Sequence, residues 1–254
     1  MPHQPFSRIL PGADTAVLFL HGIIGTPDHF LPLLPHVPET YSVHSVLLDG
    51  HGGDVRAFSR TRLAIWRKQC EDAAAELLKT HKHIYIAAHS MGALFALHIA
   101  NLCPNRVAGL FLLAVPLRIA PDVRIVPGML RIATGRIPAH DTWSLNTRKA
   151  YSLDADPHLW RYIGWIPRYL ELFAEMRRTA KLVPLLSVRT IALQSAHDEM
   201  VSRHSTDVLA AQPCAQVLIL PGSGHYSYSA EDLHTIQSQF SAFVREPSSI
   251  TAKE

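Results

Sequence analysis

Residues 83–102 read HIYIAAHSMGALFALHIANL, and their pattern is the strongest indication of the fold. The apolar run 83–88 predicts a buried strand, and residues 91–102 predict a strongly apolar helix that ends before Pro104. Ser90 lies where the strand turns into the helix, between the small residues Ala88 and Gly92. A serine on such a turn projects from the carboxyl edge of a sheet. Serine is also a favoured helix N-cap, but the strand–turn–helix context favours Ser90 as a nucleophile.

The same alternation of apolar runs and helical patterns continues on both sides of this segment. We predict strands at residues 15–20, 41–48, 83–88, 107–115, 190–194 and 216–220. We predict helices at residues 60–79, 91–102, 202–211 and 230–244. Strands that are buried on both faces and separated by helices indicate an α/β fold, with a mostly parallel central sheet flanked by helices.

One interval breaks the alternation, because residues 116–189 contain helical patterns but no clear strand. We predict that they form a helical cap inserted after the fourth predicted strand, and that residues 1–115 and 190–254 form the core. The interval carries 12 Lys and Arg against 6 Asp and Glu. This excess is typical of a solvated helical surface. The alternative is that it attracts anionic substrates or lipid headgroups, giving weak contact with a membrane surface.

A serine nucleophile needs a base, and the base needs a carboxylate. His225 follows the last predicted strand in the flexible loop PGSGH, at the same sheet edge as Ser90. Asp198 follows the fifth strand; it could instead cap the next helix, and Glu199 is an immediate rival for its role. The order Ser90, Asp198, His225 is the one expected when these three residues act together on such a sheet.

An oxyanion formed at Ser90 would require backbone N–H donors. Met91 N–H lies at a helix N-terminus directly after the serine, and Ile23 N–H lies in the loop after the first strand. His21 and His89 belong near the same edge, and we expect them to shape the substrate pocket. From the cap, we expect Trp143 and Trp165 to line a pocket for a hydrophobic group. The alternative is that these aromatic residues form the cap's own core.

These motifs together resemble the α/β-hydrolase superfamily, and most closely its bacterial carboxylesterase and monoacylglycerol-lipase group. The resembling segments are LFLHGIIGTPDHF (18–30), LLDGHGGD (47–54), IAAHSMGALFAL (86–97), SAHDEMVS (195–202) and PGSGHY (221–226). The resemblance implies a serine hydrolase that cleaves carboxylic esters with a Ser–His–Asp triad and without a cofactor. It also implies an oxyanion hole at Ile23 and Met91. Two positions depart from the pattern: Ala88 replaces the first elbow glycine, and Ile23 stands where carboxylesterases often have Phe.

Other activities share these motifs. A thioesterase, an amidase, a carbon–carbon bond hydrolase and an acyltransferase would carry the same triad, and a non-catalytic binding module could keep the fold. The resemblance and the aromatic residues of the cap predict a small-molecule ester with a hydrophobic acyl group as the substrate. The alternative activities stay open.

Composition bears on other functions and on cellular location. The chain has 254 residues and a formal net charge of +3 without a long Lys/Arg run, which gives nucleic-acid binding no support. No metal-ligand cluster stands out. The three cysteines are far apart, and we expect free thiols. We see no signal-peptide pattern and no apolar run long enough to span a membrane, so we predict a cytoplasmic protein. The oligomeric state cannot be inferred.

Overall fold

The computed structural model describes residues 3–119 and 122–246, apart from the Arg124 side chain. Its strands form one sheet with the order β1-β3-β2-β4-β5-β6-β7. They are β1 (Phe6–Arg8), β2 (Thr15–Leu20), β3 (Ser42–Ser45), β4 (His83–His89), β5 (Val107–Leu113), β6 (Thr190–Ser195) and β7 (Ala215–Leu220). Every pairing is parallel except that of β1 with β3. The predicted mostly parallel sheet is confirmed.

Strand β1 was not predicted, because three residues with two exposed side chains leave no periodic apolar signal. Its antiparallel pairing covers the outer edge of β3. The second predicted strand is also shorter than expected: β3 ends at Ser45, and the chain from 46 to 48 continues as irregular backbone.

Eight α-helices lie within the described residues. They are α1 (Val55–Arg60), α2 (Leu63–Thr80), α3 (Met91–Leu102), α4 (Val126–Thr134), α5 (Thr142–Lys149), α6 (Ile166–Ala180), α7 (Asp207–Ala210) and α8 (Ala230–Arg245). Short 3-10 helices add Pro27–His36, Val123–Ile125, Leu159–Trp165, Val183–Leu185 and Arg203–Thr206. The predicted helix 60–79 begins only at Leu63, because the chain is extended at Thr61 and Arg62. The predicted helix 202–211 is a 3-10 turn followed by a single turn of α-helix.

Both faces of the sheet are covered by apolar layers. In β2, Leu18 packs into the layer that contains α3, whereas Phe19 packs into the layer that contains Phe240 of α8. Because side chains of a strand alternate between faces, a strand covered on both sides must be apolar throughout. This explains why β2, β4 and β5 are continuous apolar runs in the sequence.

Between β5 and β6, residues 116–119 and 122–189 are helical or irregular, apart from an isolated bridge from Ile119 to Val201. We call residues 116–189 the insert. Its α6 is tied to the sheet's flanking helices by the buried Glu175, whose carboxylate lies 3.4 Å from Arg67 on α2 and 3.0 Å from His98 on α3. Among the described residues, no helix is both long and apolar enough to cross a membrane.

Candidate active site

Ser90 occupies a sharp turn at the carboxyl end of β4. Its backbone has φ 51° and ψ −123°, a region that L-residues with a side chain seldom adopt. The turn brings α3 against β2: a Cβ on Gly92 would lie 2.2 Å from the carbonyl oxygen of Leu20. Gly92 is therefore required by a close approach of two backbones, while the methyl group of Ala88 is accommodated in full burial. Strain of this kind persists where surrounding structure imposes it, often at functional sites.

His225 and Asp198 meet at the same edge of the sheet. The Nδ1 atom of His225 lies 3.0 Å from Oδ1 and 2.9 Å from Oδ2 of Asp198. The two side chains come from the loops that follow β7 and β6, and both are almost completely buried. A carboxylate on Nδ1 holds the imidazole with its Nε2 lone pair free to accept a proton.

The Asp198 carboxylate is held by donors from its own loop. Oδ1 accepts hydrogen bonds from the N–H groups of Met200 at 2.9 Å and Val201 at 2.7 Å. Oδ2 accepts one from Gln194 Nε2 at 3.1 Å. Burial by itself would raise the pKa of Asp198, but the charge and hydrogen bond of His225 and these N–H groups outweigh it and lower the pKa. Asp198 is therefore an anion beside the imidazole at neutral pH.

Glu199, the neighbouring acid, makes different contacts. Its Oε2 accepts the backbone N–H of His225 at 2.9 Å, and its Oε1 accepts the indole N–H of Trp143 at 2.8 Å. A Cβ on Gly224 would lie only 2.6 Å from this carboxylate. Glu199 thus holds the main chain of His225 and joins it to the insert, while Asp198 holds the imidazole ring.

His89 connects Ser90 to the loop of His225. Its Nε2 donates to the carbonyl oxygen of His225 at 3.1 Å, and the two rings lie 4.9 Å apart. Within residues 3–119 and 122–246, the Ser90 hydroxyl makes no hydrogen bond. Catalytic hydrogen bonds are often absent or long without substrate and form only in the complex.

The loop after β2 runs alongside Ser90. A Cβ on Gly22 would lie 2.9 Å from Ser90 Cβ, so only glycine permits this approach. The neighbouring N–H of Ile24 donates to His51 Nε2 at 3.0 Å, while Ile23 N–H has no acceptor in the described part of the chain. Met91 N–H is the first of α3, where no intrahelical acceptor exists. The N–H groups of Ile23 and Met91 therefore have no acceptor among the described residues.

The sequence profile described as "Alpha/beta hydrolase family" matches residues 17–234, which is most of the chain. The chain belongs to the alpha/beta hydrolase family. The fold and the family resemblance predicted from the motifs are confirmed by this match.

Two curated relatives carry names of ester-cleaving enzymes. A pimeloyl-[acyl-carrier protein] methyl ester esterase from Neisseria meningitidis is 30% identical over 139 residues, covering 54% of this chain and 50% of the relative. A thermostable monoacylglycerol lipase from Bacillus sp. is 30% identical over 115 residues, covering 44% of each. The chain spans about half the length of the curated relatives it matches.

Solved structures resemble this member of the alpha/beta hydrolase family over nearly its whole length. One, described under "LipS and LipT, two metagenome-derived lipolytic enzymes", superposes with a TM-score of 0.74 at 20% identity, covering 96% of this chain and 98% of that one. Another is the Paleococcus ferrophilus monoacylglycerol lipase, with a TM-score of 0.68 at 14% identity, covering 96% and 99%. At such identities these likenesses show the shared fold alone.

His21, predicted to shape the pocket of this alpha/beta hydrolase, has both ring nitrogens engaged by backbone. Nδ1 donates to the Gly22 carbonyl at 2.9 Å, and Nε2 accepts the N–H of Leu48 at 3.1 Å. Burial lowers the pKa of His21 to about 4, so the ring is neutral. These contacts give His21 a framework role, and its predicted contact with substrate stays a prediction, as does that of His89.

A cavity of about 360 Å³ lies within the insert and is lined mostly by apolar and aromatic side chains. Trp165 lines it and donates its indole N–H to the Val55 carbonyl at 3.1 Å. Tyr151 also lines it, and its ring packs against Tyr226, which in turn packs against His225 at 4.5 Å. Tyr151 and Tyr226 therefore connect the cavity to the candidate base, His225. Trp143 does not line it, because its indole is turned to Glu199.

Several site contacts escaped the sequence interpretation. Ser152 of the insert holds the loop after β2, since its N–H and hydroxyl both donate to the Ile24 carbonyl, at 2.9 and 3.2 Å. No motif marks Ser152. The ring of His29 packs against that of His89, with centroids 4.1 Å apart and the planes tilted by 34°, a contact between residues far apart in sequence. Among the described residues, no group of His, Cys, Asp or Glu is arranged to hold a metal ion.

Proposed function

We propose that this chain is a carboxylic ester hydrolase that uses Ser90 as nucleophile, His225 as base and Asp198 as the residue that orients the base. The observation that carries the proposal is the buried His225–Asp198 pair at the sheet edge where strained Ser90 projects. The names of the two curated relatives, a methyl ester esterase and a monoacylglycerol lipase, support an ester as the bond cleaved.

The proposed reaction has two acyl-transfer steps. Ser90 Oγ attacks the ester carbonyl carbon while His225 Nε2 takes the hydroxyl proton. The N–H groups of Ile23 and Met91 stabilise the oxyanion of the tetrahedral intermediate. The carbon–oxygen bond to the alcohol then breaks, and His225 returns the proton to the leaving alcohol. In the second step His225 deprotonates a water that attacks the acyl carbon. The bond from that carbon to Ser90 Oγ then breaks, His225 returns the proton to Oγ, and the carboxylic acid is released.

We assign the insert as a cap over a core made of residues 1–115 and 190–254. Its cavity suits an apolar acyl group, because nearly all of the lining is hydrocarbon or aromatic. Tyr151 joins this cavity to Tyr226 and His225, which supports placing the acyl chain in the insert and the ester carbon at Ser90. The proposed steps use no cofactor and no metal. The cytoplasmic location stays a prediction.

The test is hydrolysis of p-nitrophenyl esters from acetate to palmitate, with Ser90→Ala protein as the blank. We expect Ser90-dependent hydrolysis that falls by at least about 10⁴-fold in the blank. The chain-length profile would separate a short-chain esterase from a lipase-like enzyme. Without Ser90-dependent hydrolysis of any ester, the proposal fails, and the next assays are matched thioesters, amides and carbon–carbon substrates. Acyl transfer to an added alcohol in preference to water would instead indicate an acyltransferase.

A further inference from the structure

The main chain of His225 is held at both of its polar groups. Its carbonyl oxygen accepts a hydrogen bond from His89 Nε2 at 3.1 Å, and its N–H donates to Glu199 Oε2 at 2.9 Å. The preceding residue is Gly224, and glycine has the widest range of backbone conformations. The position of the His225 Cα atom, from which the imidazole ring extends, therefore depends on these two bonds.

Glu199 is in turn held by the insert. Its Oε1 accepts the indole N–H of Trp143 at 2.8 Å, and its backbone carbonyl accepts the N–H of Asp122 at 3.0 Å. Each carboxylate oxygen thus accepts one of two N–H donors, Trp143 from the insert and His225 from the core. Hydrogen bonds to a carboxylate are stronger than those between neutral groups, so Glu199 forms a stable bridge between the two parts of the chain.

Trp143 is seated between two helices of the insert. It belongs to the first turn of α5, and its six-membered ring packs on α4, where a Cβ on Gly128 would lie 2.5 Å from Cζ3. Asp141, the N-cap of α5, accepts the N–H of Ser144 at 3.1 Å and pairs with Arg131 of α4 at 2.6 Å. Both helices therefore fix the direction in which the indole N–H points.

The contacts of Trp143 differ from those of the residues that line the apolar cavity. Trp165 and Tyr151 border the space proposed for the acyl chain, whereas Trp143 is not among the lining residues. An acyl chain in the cavity would therefore leave the bond from Trp143 to Glu199 in place. This bond is available with every substrate, whatever the length of its acyl group.

We propose that Trp143 is a positioning residue: through Glu199 it fixes the main chain of the base, His225. This inference rests on the proposed function and adds one residue of the insert to the groups that place the base. Both acyl-transfer steps require proton transfers at His225 Nε2, so a displaced main chain slows both of them. The rate should then fall for short and long acyl groups alike.

The first experiment removes the indole N–H with Trp143→Phe, which keeps an aromatic ring against Gly128. The matched control is Trp160→Phe, at a 65% exposed tryptophan of the insert whose indole N–H has no acceptor in the described part of the chain. Steady-state hydrolysis gives kcat and KM for p-nitrophenyl acetate and for the longest ester hydrolysed, and thermal unfolding checks the fold.

We expect kcat of Trp143→Phe to fall about 3- to 10-fold for both esters, with KM changed by less than about twofold because both steps slow together. Trp160→Phe should match the unmodified chain. A loss confined to KM of the long ester would make Trp143 a pocket residue and overturn the proposal. An unchanged kcat, or an equal loss in Trp160→Phe, would overturn it as well.

A double-mutant cycle tests whether Trp143 acts through Glu199. A glutamine has one acceptor oxygen and cannot accept both N–H groups, so Glu199→Gln breaks the bridge by itself. In that background, Trp143→Phe should lower kcat by less than about twofold more. Two losses that simply multiply would show that Trp143 acts independently of Glu199, which contradicts the proposal.

A second replacement keeps the test valid if Trp143→Phe does not fold. Trp143→benzothienylalanine has sulfur in place of the indole N–H and nearly the same shape, so it removes the donor without a cavity. The same loss of kcat on acetate is expected, and full activity of this variant would refute the positioning role. Absence of Ser90-dependent acetate hydrolysis in the unmodified chain would refute the proposed function instead.

Discussion

The two sides of the candidate site are held in very different ways. On the core side, Ser90, His225 and the side chain of Asp198 are buried, and backbone hydrogen bonds or close backbone contacts hold their loops. On the insert side, the cavity lies between helices whose outer faces expose large apolar side chains, and side-chain contacts such as Ser152 with the Ile24 carbonyl and Glu175 with Arg67 join the insert to the core.

This difference separates two requirements of an enzyme. Acyl transfer depends on positions held to a fraction of an ångström, which close-packed backbone supplies. Selection of an acyl chain requires only an apolar space of suitable length, and helices packed by side chains can change that space without moving Ser90. The comparison predicts that small changes on the core side strongly lower kcat or stability. Changes to the cavity on the insert side should alter the preference for acyl-chain length.

The largest effect on catalysis is expected from a substitution of Asp198, and its neighbour Glu199 provides the comparison. Asp198→Asn should lower kcat by about 10⁴-fold, because an amide no longer holds the imidazole in the correct tautomer or stabilises its charge. Glu199→Gln should lower kcat by less than about tenfold, since its carboxylate contacts backbone N–H of His225 and not the ring. Steady-state ester hydrolysis measures both, with thermal unfolding as the folding control. Similar losses in the two variants would contradict the assignment of roles.

Gly92→Ala should reduce the free energy of unfolding by about 3 kcal/mol or more. Its new Cβ would meet the Leu20 carbonyl at 2.2 Å, and a backbone atom cannot move aside as a side-chain tip can. The control is Gly53→Ala, where the nearest atom is 3.5 Å away, and we expect a change within about 0.5 kcal/mol. Urea unfolding followed by circular dichroism compares the two. Equal stability of both variants would show that the elbow is not constrained as described.

The buried His21 should make the core side sensitive to acid. Its pKa is lowered from 6.5 to about 4, so between these values the unfolded state binds the proton that the folded state excludes. Stability is therefore lost as pH falls from about 6.5 to 4, by up to about 3 kcal/mol from this group. Protonation of Nε2 would also break the bond from Leu48 N–H.

Urea unfolding at pH values from 7 to 4.5 measures this dependence. His21→Asn removes the titration, so the pH dependence of its stability should be flatter by the uptake of one proton. His204→Asn, at an exposed histidine, is the control and should keep the original slope. Parallel curves for all three proteins would contradict the prediction.

The smallest and most selective effect is expected on the insert side. Ala133 lines the apolar cavity, and Ala133→Phe should shorten it. We expect kcat/KM for the longest ester hydrolysed to fall about 10- to 100-fold relative to acetate, since each lost methylene contact weakens binding. The same substitution at Ala150 is the control, because Ala150 lines a separate cavity of about 420 Å³ beside Lys149 and Asp28. An unchanged chain-length profile in Ala133→Phe would place the acyl group elsewhere.

Part of this structure could be predicted from local sequence. The apolar runs locate β2, β4 and β5, and the segment around Ser90 predicts the turn, because both depend on interactions among neighbouring residues or on burial on two faces. The position of α3 matches its predicted range, Met91–Leu102. Strand β1 escaped prediction because its pairing with β3 stabilises three residues that carry no pattern of their own.

In the site, too, some features could be predicted from the sequence and others depend on tertiary contacts. The residue types and their order along the chain indicated Ser90, Asp198 and His225 as a group, but they left Asp198 and Glu199 as rivals. Only the tertiary structure distinguishes these two acids, by turning one carboxylate to the His225 ring and the other to its backbone N–H. Likewise, the sequence predicted that tryptophans line a pocket, and the fold turned Trp165 to the cavity and Trp143 to Glu199.

The amino-acid sequence alone indicated most strands of the sheet, the elbow at Ser90 and the residues proposed for acyl transfer. Burial, tight turns and glycine requirements are properties of short segments, and these features follow from them. Packing in the folded chain sets which side chain faces which partner, where the cavity lies and which apolar residues of the insert stay exposed. Those outcomes depend on packing between segments more than a hundred residues apart, such as Glu175 against Arg67, and no local pattern encodes them.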